Sequence, residues 1–168
     1  MNLPFLSPTI NMFETNKDFL KMVSDIPRYM NAPLKFHKAK YSKHTKLLYP
    51  IYSLIDVKLR MNHYGNFTEA KHKWESRVSR INYDNILLAF YTESKEELEE
   101  FDMLPYKKKV CFVPFVSDLA SAFYLPRYED ETIPFARAVI DFAKGRYPYY
   151  DLWDLLLYGK ATQRMVGK

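Results

Sequence analysis

Phe67, Ala70, Trp74, Val78 and Ile81 follow one another at spacings of three and four, the apolar stripe of an amphipathic helix. Asn66 supplies a capping residue type at its start, and Glu69 three positions on makes a capping-box-like arrangement. Asn82-Tyr83-Asp84-Asn85 predicts its end. An earlier stripe, Phe19, Leu20, Val23, Ile26 and Met30, predicts a helix over 16–29. Thr15 would cap it and Asp18 would meet its positive first turn, while Pro27 predicts a kink or an early stop. Between the two helices the pattern shortens to period two. Leu54, Asp56, Lys58, Arg60 and Asn62 alternate with Ile55, Val57, Leu59 and Met61, predicting one half-buried strand over 53–62 with the second set in the core.

Shorter signals fill in the rest. Residues 9–13 and 33–36 read as short strands, and the polar, basic stretch 38–44 as a loop. Residues 85–92 form an apolar run of strand length, Ser94 caps a short acidic helix reaching about Met103, and 109–113 is another strand. Further on, Thr132 and Pro134 start a helix carrying Phe135, Ala138, Val139 and Phe142 to a stop at Gly145. Tyr147-Pro148-Tyr149-Tyr150 reads as an aromatic loop, and Asp151 caps a helix over 152–158 ended by Gly159. Alternating strands and helices with buried runs predict an α/β fold: a single three-layer domain over 1–168, with a mixed, mostly parallel sheet and helices on both faces.

Composition narrows the function classes. With 14 Tyr and 12 Phe the chain is too aromatic for a disordered protein, and its 168 residues suffice for a real core. Only 4 Gly are present and neither phosphate-binding glycine motif occurs. The single cysteine, Cys111, excludes an internal disulfide and a cysteine zinc site. Met1-Asn2-Leu3-Pro4-Phe5-Leu6 lacks the features of a signal peptide, and the longest apolar run, 86–91, is too short to cross a bilayer. A cytoplasmic domain is the expectation. Charge is uneven: residues 35–80 hold eleven Lys or Arg against three acids, so that half favours anionic partners or forms a solvated lysine surface.

Several segments occur in a familiar order: Ser7-Pro8-Thr9-Ile10, the strand into His63-Tyr64, Glu69-Ala70 with Lys73-Trp74, then Arg77. Arg80-Ile81-Asn82 with Asp84-Asn85, and Phe101-Asp102 with Leu104-Pro105-Tyr106, complete the set. Together they resemble a bacterial family, the domain of unknown function 1919, over most of residues 7–115. The resemblance implies an α/β domain and a surface-glycan setting, because members are often encoded among capsule and exopolysaccharide genes. It also implies a member without the family's first strand and the Asn-Cys-Trp-Gly-Gly-like turn that follows it. Asn11 and Tyr52 stand where the resemblance calls for glycine.

The candidate chemistry gathers at the strand-to-helix junction, where α/β sheets carry their sites. His63, whose side chain titrates nearest neutrality, is the candidate base, with Tyr64 beside it. The plainer role for His63 is to fill a polar pocket. Trp74 reads as a core anchor. Arg77 and Arg80 flank the apolar stripe and either fork onto an anion or serve structure; Asn82 joins them as a candidate anion contact or a helix-end partner. Glu129-Asp130-Glu131 do not point one way, His37 and His44 flank a loop, and no Asp-x-Asp pair of the nucleotide-sugar transferase type exists. Neither a metal nor another cofactor is expected.

Two functions from different classes follow. One is a transferase of capsular or exopolysaccharide assembly acting on a sugar or sugar-phosphate, with a nucleotide-sugar or lipid-linked sugar as substrate. The other is a non-catalytic module that binds an anionic glycan precursor or a partner protein. Peripheral contact with an anionic membrane surface fits the basic half. Nucleic acid fits less well, since no RRM, KH or helix-turn-helix pattern is present.

Overall fold

The computed structural model describes residues 7–43, 45–125, 154 and 157–159. The described chain divides into two compact units, 1–85 and 86–168. In the first, α1 (Asn16–Ser24) and α2 (Ile26–Met30) precede the strands β1 (Lys35–Ser42), β2 (Leu47–Leu54) and β3 (Val57–Arg60), and α3 (Phe67–Val78) follows. In the second, β4 (Leu87–Tyr91), α4 (Lys95–Asp102), β5 (Lys108–Val113) and β6 (Ala122–Tyr124) succeed one another.

The capping signals act as the sequence predicts. Thr15, Asn66 and Ser94 each accept a hydrogen bond from the backbone N–H three residues on, at Asp18, Glu69 and Glu97. The first helix breaks at Asp25, whose carboxylate caps a second short helix with Pro27 in its first turn. In α3, Ala70, Trp74 and Arg77 are buried.

The three-layer arrangement around a single mixed, mostly parallel sheet is overturned. The described residues carry two three-stranded sheets, and that of the first unit is wholly antiparallel, in the order β1-β2-β3. The reason is local. The expected strand over 53–62 is cut by a two-residue turn, Ile55-Asp56, with Leu54 paired to Val57 across it. A connection that short joins only antiparallel neighbours. It also exchanges the burial of two positions: Val57, Leu59 and Met61 lie in the core as expected, but Leu54 joins them there and Ile55 faces solvent. Residues 38–44, expected as a loop, continue β1 as far as Ser42 instead. At 9–13, where a strand was expected, only Phe13 bridges to another strand, at Arg60.

Ile55 sits at φ 57, a region a β-branched residue enters at a cost of about 1–3 kcal/mol. The turn is pinned from outside, because Lys21 pairs with Asp56 at 2.6 Å and the Tyr29 hydroxyl donates to the same carboxylate at 2.9 Å. These two bonds, the lysine's first, hold the Asp56 carboxyl below its ordinary pKa. Ile55→Gly is expected to gain about 1 kcal/mol in urea unfolding, since strain relief exceeds the ~0.5–1 kcal/mol entropic cost of glycine. Asn11, where the resemblance called for glycine, is also left-handed at φ 62, and asparagine tolerates that conformation. Tyr52 is instead a buried strand residue whose hydroxyl donates to the Phe67 carbonyl at 3.0 Å.

That bond shows which layer lies where. Ile51 pairs with Arg60 and Tyr52 with Leu59, so Tyr52 and Arg60 occupy opposite faces of the sheet. Tyr52 reaches the start of α3, whereas Arg60 reaches Asp18 of α1 at 3.5 Å.

The second unit is parallel, in the order β4-β5-β6, with α4 as the crossover between its first two strands. Val110, Val113, Leu98, Phe101 and Phe123 form its buried core, and Phe101 stacks on Phe90 at 5.3 Å between ring centroids. Asp102 accepts a hydrogen bond from the Ser121 backbone N–H at 2.9 Å. Lys109 donates to the Asp102 and Leu104 carbonyls, a cation placed at the helix C-terminus. Positions 154, 157 and 158 are helical and Gly159 follows at φ 70, as a glycine stop requires. The helix expected from Thr132 to Gly145, the aromatic loop at 147–150 and Glu129-Asp130-Glu131 lie outside the described residues.

Candidate functional site

Phe13 and Arg60 exchange both backbone hydrogen bonds, at 2.8 and 2.9 Å, and the Arg60 guanidinium lies 5.5 Å from the Phe13 ring centroid. Two residues on, Thr15 caps α1. Glu14 thus lies between a sheet bridge and a helix cap and is only partly exposed. Its Oε2 is buried without a hydrogen-bond partner among the described residues. Burial above all, then the neighbouring Asp18 charge, pushes the Glu14 carboxyl up to about 7, with Arg60 opposing. Asp18 itself is engaged by Arg60 Nη1 at 3.5 Å.

β3 runs from Arg60 directly into the predicted junction. Asn62 Oδ1 and the Tyr64 hydroxyl are both buried and without partners among the described residues, and His63 between them is exposed. Three orphaned polar atoms thus belong to the strand end and the segment bridged to it. Such groups are costly to bury and are rarely left so.

The remaining predicted residues serve elsewhere. Arg77 is buried and its Nη1 donates to the Ile10 carbonyl at 2.8 Å, fixing the segment that leads to Glu14. Arg80 is exposed and donates to Ser76 Oγ at 3.0 Å. Asn82 Oδ1 accepts from the Asp84 backbone N–H at 3.1 Å, closing a turn after the helix. His63 and Tyr64 precede α3, whereas Arg80 and Asn82 follow it. Its 12 residues make a rod of roughly 18 Å between the two pairs. The structure therefore keeps His63 and Tyr64 together and sets Arg80 and Asn82 apart from them.

Glu14, Asp18, Arg60 and Asn62 escaped sequence reasoning. Arg60 and Asn62 read as the solvent side of a strand, and Glu14 was an unremarked residue ahead of a helix cap. Glu14, Asp18 and Arg60 meet through a pairing 47 positions apart in sequence, Phe13 with Arg60. Cys111 offers no nucleophile, because burial first and the Glu97 charge second push its thiol up to about 12. Among the described residues no group of three His, Cys, Asp or Glu could hold a metal, and no helix is long and apolar enough to cross a membrane.

Comparison with known proteins agrees with the motifs. A family model described as a domain of unknown function (DUF1919) matches residues 1–158. A Haemophilus influenzae protein described as uncharacterized is 31% identical over an alignment of 136 residues that covers 78% of this chain. The match covers 63% of that relative's length.

Proposed function

The chain belongs to the DUF1919 family, and we propose that it is a transferase acting on a sugar or sugar-phosphate group in surface-polysaccharide assembly. The polysaccharide setting rests on the family resemblance of its motifs. The chemistry rests on one observation: the Glu14 carboxyl, buried on one oxygen without a donor, beside a second carboxylate engaged by Arg60. Transfer to a hydroxyl requires a group that takes the attacking proton and returns it, and a carboxyl titrating near neutrality suits both directions.

In this reading Glu14 is the proton carrier and Arg60 faces the charge that builds on a leaving phosphate. Asn62 and Tyr64 offer a carbonyl oxygen and a hydroxyl to sugar hydroxyls, and His63 between them is exposed. Arg77 is a positioning residue, acting through the Ile10 carbonyl. Arg80 and Asn82 meet only the far part of an extended substrate. A cytoplasmic location, with a nucleotide-sugar or lipid-linked sugar as donor, completes the reading.

The test is a transfer assay with nucleotide sugars and polyprenyl-phosphate sugars. Glu14→Gln is expected to slow turnover by about 100-fold or more while donor binding persists, and His63→Ala to slow it by less. Binding without turnover in the parent protein, unchanged in Glu14→Gln, would instead make the chain a non-catalytic module for an anionic glycan precursor.

A further inference from the structure

The lysines of β1 are sorted by a single irregularity in its pairing. Ser42, Tyr41, Lys40, Ala39 and Lys38 pair in turn with Leu47 to Ile51, but the register shifts between Lys38 and Phe36, leaving His37 without a partner. Paired residues share a face, and faces alternate along β2. Lys35, Lys38 and Lys40 therefore fall on one face, with partners Ser53, Ile51 and Tyr49, while Phe36, Ala39 and Tyr41 fall on the other. Without the bulge, Lys35 and Phe36 would exchange faces. Lys58 extends the cationic face: it pairs with Ser53 and donates to its hydroxyl at 2.6 Å.

Every residue from Lys35 to Tyr41 is exposed. None of Lys35, Lys38, Lys40 and Lys58 forms an ion pair with a carboxylate among the described residues. Their field shows at His37, whose pKa is lowered by Lys58 first and by Lys38 as well. Same-face residues two apart on a strand lie about 7 Å from one another, so the lysines form a row of separate cations.

We propose that this face binds an extended, linear polyanionic glycan, its charges meeting Lys35, Lys38, Lys40 and Lys58. Single-stranded nucleic acid needs aromatic platforms among its cations, and the exposed aromatics Phe36 and Tyr41 lie on the opposite face. Insertion into a bilayer would use that opposite face, not the lysines. A glycan carrying regularly spaced acid groups needs only the row. The lysine face also carries Arg60, which pairs with Ile51 opposite Lys38, but the charges that act on the Glu14 carboxyl are Asp18 and Arg60 and not these lysines, so Glu14→Gln is expected to bind the polymer normally. Loss of transfer with intact polymer binding therefore bears on the acid–base reading alone.

The test measures affinity for a long linear oligogalacturonate, with digalacturonate, oligothymidylate and phosphatidylglycerol vesicles as rivals. The long polymer is expected to bind best, more weakly as NaCl rises. Joint Lys38→Glu and Lys40→Glu substitution is expected to weaken it by about tenfold or more. Joint Phe36→Ser and Tyr41→Ser substitution should leave it unchanged, with the fold of both variants checked by circular dichroism. Polymer binding indifferent to the lysine reversals overturns the proposal. So does tighter binding of oligothymidylate or vesicles than of the polymer, or polymer binding that depends on Phe36 and Tyr41.

Discussion

Glu14→Gln should make the protein more stable at pH 8, by about 3 kcal/mol in urea unfolding, and change little at pH 4. The folded carboxyl holds its proton up to about pH 7, whereas the unfolded one releases it near 4.5. Its folded pKa is raised, so its contribution to stability is complete below 4.5 and drains away as pH climbs through 7. Above that range the native state carries a desolvated charge that the unfolded chain hydrates freely. Glutamine never ionises and escapes this cost. An equal gain at both pH values would mean that shape, not ionisation, governs the substitution. A residue whose removal stabilises the fold is retained for another reason, and proton transfer is the one proposed.

Trp74→Ala should act in the opposite sense and at every pH, costing about 3–5 kcal/mol in the same measurement. Trp74 is 2% exposed at the centre of α3. Removing the indole leaves a cavity that neighbouring strands cannot close. Lys73→Ala, one position away and exposed, should stay within about 0.5 kcal/mol. Comparable losses at the two positions would mean that α3 is not anchored through its predicted stripe.

The contrast between these residues explains how far the sequence could be read. Trp74 was legible because a helix repeats its buried face every three or four positions, and Asn66 marked where the repeat begins. The Ile55-Asp56 turn was not, because it lacks the glycine or asparagine that usually announces a hairpin, and alternation continues on both sides. β1 was hidden by its lysines. They look like loop chemistry, yet edge strands carry them readily since neither face need be dry. At the site, the junction at His63 and Tyr64 was visible as a change of period. The Glu14 carboxylate was not, because it sits beside a bridge between distant segments, Phe13 with Arg60, which no local pattern encodes.

Cys111 has a consequence of another kind. The one cysteine of the chain sits in the middle strand of the parallel sheet, fully buried, with its thiol near 12. Oxidants meet no thiolate there while the strand is closed. Its one thiol is thereby shielded from oxidation in the native state, and the rate at which this sulfur oxidises becomes a clock for how often the second unit opens.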